Sequence, residues 1–161
     1  MTHAVITGTG LFTPAHAIDN AALVASFNAW VDAENARRAE AGLEERLEHS
    51  STDFIVKASG IHSRYVMDAE GILDPERMRP RLAPRGNDEP SIQCEMGLAA
   101  AREALEKAGV AAAEIDLVIV ACSNLERPYP AVAVELQAAL GAGGYAFDMN
   151  VACSSATFAI E

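Results

Sequence analysis

The residues best suited to chemistry gather at one junction. FDMNVACSSATFAIE carries an apolar strand pattern directly into a helix pattern, and Cys153 stands where the two meet. The first turn of a helix presents unpaired N–H groups and a partial positive charge. Both favour a thiolate, so a cysteine placed there is expected to ionise readily. Its own N–H can also face an oxyanion forming on an attacked thioester. A soft thiolate suits exchange with another thiol ester, because it accepts the acyl group and later releases it. Ala152, Ser154, Ser155 and Ala156 are small and leave room for a substrate. Two readings stand at this point: an acyl-accepting nucleophile, and a structural thiol buried at the junction, as free cysteines commonly are.

Other residues offer less. Cys94 falls within a helix pattern and Cys122 at the end of a strand pattern; no pair has C-x-x-C spacing, and no metal-ligand cluster is visible. Gly8-Thr9-Gly10 lacks the third glycine of a dinucleotide fingerprint, since Thr13 stands in its place. RMRPRLAPR brings Arg77, Arg79, Arg81 and Arg85 together without an acid among them. Such a run either meets phosphates or forms a solvated loop.

The junction needs elements to hold it. His3–Leu11 reads as a buried first strand ended by Pro14. Asp19 or Asn20 then caps a helix whose Leu23, Phe27, Trp30 and Val31 share one face, and the helical pattern continues, charged and alanine-rich, from Ala33 to Glu48. Residues 50–53 cap a short helix, DFIVKAS, stopped at Gly60. Arg64–Pro90 is proline-rich without a period and reads as an irregular excursion. Pro90 opens a strong helix closed by Gly109. Ile115–Cys122 is a continuous apolar run, expected as a strand buried on both faces. A helix over Pro130–Leu140 ends at Gly141, and Tyr145–Val151 is a second short buried strand. This alternation predicts an α/β fold with a largely parallel sheet.

Composition narrows the function classes. The chain has 161 residues, half of them hydrophobic, with 12 Lys plus Arg against 23 Asp plus Glu and a net charge of −11. A surface so acidic repels nucleic-acid backbones. No apolar run reaches the roughly 20 residues of a membrane span. The residues before Asp19 lack a basic n-region, and three cysteines without a paired spacing suit free thiols in a reducing compartment, so a cytoplasmic protein is expected. ACSSATFAIE starts an apolar helix with no closing cap, which predicts that the sequence is part of a longer chain.

The stretch from GLAAAREALEKAG through IDLVIVACS, the proline-containing turn, LQAALG and FD to Cys153 resembles the β-ketoacyl-ACP synthase III family of the thiolase superfamily. AVITGTGLFTPAHAIDNAAL is similar to that family's first strand and turn, and FIVKASGIHSRYV to its glycine-isoleucine segment. Residues 33–51 and 68–87 depart from the family pattern and look like insertions.

The resemblance implies a thiolase-like αβαβα layering in which residues 1–161 form the N-terminal half of a duplicated domain. It also implies a reaction: an acyl-CoA loads Cys153, and malonyl-ACP decarboxylates and attacks the acyl enzyme. No cofactor is implied beyond these substrates, and a homodimer is expected. The partner histidine and asparagine (or second histidine) belong to the C-terminal half. His3, His16, His49 and His62 match no such motif, so the segment alone is expected to be inactive. Phe54 stands where the family stacks an aromatic on the CoA adenine, or it packs its own helix; Ala58 replaces the family's following arginine. Tyr129 stands where a family aromatic reaches across the dimer towards the acyl pocket, or it is a turn residue between prolines. The insertions and the branch they resemble suggest a medium-chain acyl primer. A thiolase, a hydroxymethylglutaryl-CoA synthase, a polyketide or alkylquinolone starter synthase and a non-catalytic dimerising subunit are the alternatives.

Overall fold

In the computed structural model, which describes residues 5–86 and 88–161, the chain divides into two units: Thr13–Pro84, and Met1–Phe12 with Arg85–Glu161. His3 and Ala4 of the first expected strand, and Asn87 at the end of the second expected insertion, lie outside the described residues.

The Thr13–Pro84 unit starts with a strand the sequence did not announce, β1 (His16–Asp19). Its partner, β2 (Ser63–Val66), runs into the start of the excursion expected to be irregular; the two pair antiparallel from His16↔Val66 to Asp19↔Ser63. Four residues each are too few to show a period. Asp19 then caps α1 (Asn20–Glu40), its carboxylate accepting the Ala22 N–H at 2.7 Å. Val31 is buried, while Leu23, Phe27 and Trp30 are half-buried.

The helix does not continue to Glu48. It ends at Glu40, and the chain returns irregularly along α1 because two asparagines bind the returning backbone. Asn35 accepts the Leu47 N–H at 2.9 Å and donates to its carbonyl at 3.0 Å; Asn28 does the same to Ser50 at 2.9 and 3.1 Å. Each amide thus supplies the donor and acceptor that a strand neighbour would. Asp32, between them on the same face, meets His49 Nε2 at 2.7 Å.

Helix α2 (Thr52–Ser59) forms as expected, with Ser51 Oγ accepting from the Phe54 N–H and Gly60 closing it at φ 71°. Helix α3 (Ala69–Leu73), a second element within the excursion, is capped by Asp68. The Asp68 carboxylate also accepts the Arg81 N–H, which is the main reason it titrates below the ordinary carboxylate range. A depressed folded pKa contributes stability above the unfolded value and loses it as pH falls through the folded one. Amide exchange of Gly71 and Arg81, corrected for intrinsic rate, should therefore accelerate as pH drops below about 4. Asp68→Asn should show the fast exchange already at neutral pH. Unchanged protection in both would contradict this pinning. Arg81 pairs with Asp74 at 3.0 Å, and Arg77 donates to the Arg79 and Pro80 carbonyls, so much of the arginine run is used locally.

The second unit holds α4 (Ile92–Ala108), β3 (Leu117–Ala121), α5 (Val132–Leu140), β4 (Tyr145–Met149) and α6 (Ser155–Ile160). Strands β3 and β4 pair parallel, Leu117↔Tyr145 through Ala121↔Met149, joined by the α5 crossover. Cys94, Val118, Val132, Ala133 and Leu136 form the core between α4, α5 and the strands. The expected burial of both strand faces is not found. Val118, Val120 and Ala146 belong to the core side, whereas Leu117, Tyr145 and Phe147, one residue out of phase, remain exposed.

The expected first strand is also absent over the described residues 5–11. Gly8 and Gly10 lie so close to α4 that a Cβ on Gly10 would overlap the Ala100 carbonyl. A helix side offers this segment no ladder groups; the Leu11 N–H is tied instead to the Glu103 carboxylate at 2.9 Å. Gly10→Ala should cost about 3 kcal/mol by overpacking against rigid backbone, read as a lowered denaturation midpoint. A change within experimental error would show that the contact is not close. No described helix is long and apolar enough to cross a membrane.

Candidate functional site

Cys153 is exposed, at the turn between β4 and α6. The turn is built from side chains beside it. Ser155, itself buried, accepts the Val151 N–H at 2.8 Å and donates to the Ala152 carbonyl at 2.8 Å. Asn150 accepts the Ala152 N–H at 3.1 Å, and the Cys122 N–H extends the strand ladder to Met149. The closure forces Ala152 to φ 49°, a left-handed conformation that costs a residue with a Cβ about 1–2 kcal/mol. Such strain persists only where the surroundings over-determine it, and here it turns Cys153 outward from the strand end. Within these residues Cys153 is an exposed thiol. Buried thiol character belongs to Cys94, whose pKa is pushed up, first by burial and then by Glu135 and Glu95.

Three carboxylates that sequence reasoning missed hold this end of the unit together. Ala131, preceding α5, has no side chain able to cap it. Asp148 on β4 supplies the cap, accepting the Val132 N–H at 2.9 Å and the Ala133 N–H at 2.8 Å. Glu126 does the same for α4, accepting from Ile92 at 2.8 Å, and Gln93 answers by accepting the Glu126 N–H and donating to the Asn124 carbonyl. Both helix N-termini therefore receive an anion from a distant part of the chain. Glu135 accepts from the Ser91 backbone at 3.1 Å and its hydroxyl at 2.5 Å, and lies 3.3 Å from Arg127. One signal for Asp148 was present: a lone carboxylate inside the apolar run YAFDMNV, beside a helix without its own cap.

These ties fasten both ends of the 123–131 loop, which carries Tyr129 at 88% exposure before a cis Pro130. The structure thus links the Tyr129 turn to β4, the strand that leads to Cys153, through Asp148. Phe54 is 66% exposed and belongs to the Thr13–Pro84 unit, where it borders a cavity. Among the described residues no group of three His, Cys, Asp or Glu is placed to hold a metal ion.

No family model matches the chain. A β-ketodecanoyl-[acyl-carrier-protein] synthase of Pseudomonas aeruginosa is 65% identical over 139 residues, 84% of this chain and 40% of the relative. A β-ketoacyl-[acyl-carrier-protein] synthase III of Bordetella petrii is 35% identical over 162 residues, 100% of this chain and 38% of the relative. The crystal structure of 3-oxoacyl-[acyl-carrier-protein] synthase III from Aquifex aeolicus superposes with a TM-score of 0.63 at 26% identity, covering 96% of this chain and 37% of that one. The chain spans about 40% of the length of the curated relatives it matches.

Proposed function

We propose, from the premise that this chain is β-ketoacyl-ACP synthase III-like in sequence and thiolase-like in fold, that it is the nucleophile-bearing half of a condensing acyltransferase. The 65% identity with a β-ketodecanoyl-[acyl-carrier-protein] synthase carries the reading. The exposed Cys153 on its strained turn supports it from the chemical side.

In this reading the Cys153 thiolate attacks the carbonyl of an acyl-CoA, the tetrahedral oxyanion collapses, and CoA leaves as the thiolate. Malonyl-ACP then loses carbon dioxide. The electron pair released attacks the acyl carbonyl, and the Cys153 sulfur departs as the new carbon–carbon bond forms. A β-ketodecanoyl product has ten carbons, two of them from malonyl, so the primer is an eight-carbon acyl group. The groups that polarise the malonyl carbonyl come from outside these residues, which makes the segment alone inactive. A homodimer that takes acyl-CoA and acyl carrier protein completes the reading.

Intact-mass analysis of the full-length protein tests it. Octanoyl-CoA should leave one octanoyl adduct, and malonyl-ACP should discharge it as β-ketodecanoyl-ACP. An adduct that malonyl-ACP cannot discharge would point to a different acyltransferase on the same fold. No adduct would leave a non-catalytic subunit as the better account.

A further inference from the structure

The peptide joining Ala152 to Cys153 is held at its carbonyl end. That carbonyl accepts the Ser155 backbone N–H and, at 2.8 Å, the Ser155 hydroxyl. The same hydroxyl accepts the Val151 N–H at 2.8 Å, so one side chain, 4% exposed, clasps the chain before and after the Ala152 Cα. A peptide is planar and, here, trans, so its C=O and N–H point in opposite directions. Drawing the Ala152 carbonyl towards the buried Ser155 therefore turns the Cys153 N–H the other way, on the residue that carries the exposed sulfur.

The neighbouring donors are already committed. Val151 and Ser155 donate as above, Ala152 donates to Asn150 Oδ1 at 3.1 Å, and Ser154 donates to the Val151 carbonyl at 3.1 Å. Among the described residues no acceptor takes the Cys153 N–H. Ala152 at φ 49° would not rest in this conformation unaided. Its return to negative φ would swing the following peptide, and with it the Cys153 N–H.

We propose that Ser155 is a positioning residue for acyl transfer: by fixing the Ala152–Cys153 peptide, its hydroxyl aims the Cys153 N–H at the oxyanion that forms when the sulfur adds to an acyl carbonyl. The proposal rests on the acyl-transfer reading of Cys153 and gives the Ser155 hydroxyl a part in the rate as well as in the turn.

Two reagents separate aim from fold. p-Nitrophenyl acetate acylates a thiolate through an oxyanion: the sulfur adds to the carbonyl, and the ester C–O bond breaks to release p-nitrophenolate. Iodoacetamide alkylates by displacing iodide at a saturated carbon, with no oxyanion. Both consume the thiolate, so the ratio of acylation to alkylation rate at Cys153 cancels its ionised fraction. The rates are measured on full-length protein, with Cys153→Ala supplying the background from Cys94 and Cys122. Loss of an oxyanion donor slows acyl transfer about 10²–10³-fold. Ser155→Ala keeps the backbone N–H on the Ala152 carbonyl, so the ratio should fall by less than that but at least about tenfold. Ser155→Thr keeps the hydroxyl and should restore it. Asn150→Ala, at an exposed site, frees Ala152 from its other side and should also lower the ratio; it carries the test if thermal melting shows Ser155→Ala unfolded. Leu136→Ala, a core variant, should leave the ratio unchanged.

An unchanged ratio in folded Ser155→Ala, or in Asn150→Ala where that variant carries the test, would overturn the proposal. So would an equal fall in Leu136→Ala, a folded Ser155→Thr as slow as Ser155→Ala, or a wild-type Cys153 that the ester does not acylate. Octanoyl-CoA is the separate arm: if it leaves no adduct on wild-type protein while the ester does, the condensing reading falls and the Ser155 comparison still decides this one.

Discussion

Full-length protein with Cys153→Ala is expected to form no octanoyl adduct and to turn over at least about a thousandfold more slowly than wild type. The size of the loss follows from the role: removing a covalent nucleophile deletes the intermediate itself, not merely one contribution to its stability. The fold of this segment should be indifferent, because Cys153 is exposed among the described residues. Its denaturation midpoint should move by no more than about 0.5 kcal/mol equivalent. Cys153→Ser sharpens the test. It preserves the turn closed by Ser155 and Asn150 but replaces the thiol with a hydroxyl, a weaker nucleophile towards a thioester, so acyl loading should still fail. Loading that survives alanine, or alanine-dependent unfolding, would remove Cys153 from the mechanism.

The largest expected effect on stability belongs to Asp148→Ala. Two N–H groups at the start of α5 lose a charged acceptor that no neighbouring side chain can replace, since Ala131 has none to offer. The cost should be about 2–4 kcal/mol, read from denaturant unfolding. Asp148→Asn retains one acceptor oxygen and should lose about half as much. The same substitution should loosen the Tyr129 turn from β4, the strand that leads to Cys153. Alkylation of Cys153 by iodoacetamide should then change in rate more than in Leu136→Ala, a core variant of the same helix with a comparable stability loss. Equal changes in the two variants would mean that Asp148 serves the fold alone.

Local stereochemistry was largely legible before any coordinates. Asp19 and Ser51 cap the helices they were positioned to cap, and Gly60, Gly109 and Gly141 stop theirs at positive φ, whereas Ser91, not Pro90, stands at the head of α4. The strand-to-helix step at Cys153 also falls where the residue pattern changes. The errors share another character. The β1–β2 pair is too short to register as periodic. The segment expected as a first strand lies against a helix, and the expected helix over 33–48 ends early because Asn28 and Asn35 capture the returning chain. In each case a contact distant in sequence outweighed a weak local preference.

By itself the sequence determined several helix caps and stops, the parallel crossover of β3 and β4, and which sulfur stands at a helix entrance. Those features depend on hydrogen bonds and side-chain periods closed within a few residues. Only the tertiary structure decided that Asp148 and Glu126 would cap helices they are not adjacent to, that Ala152 would be held in a strained conformation, and that residues 48–51 and Met78 would meet α1 and α2 around an apolar cavity. A carboxylate carries no mark of which distant N–H it will meet; that partner exists only once packing has brought the two segments within hydrogen-bond reach.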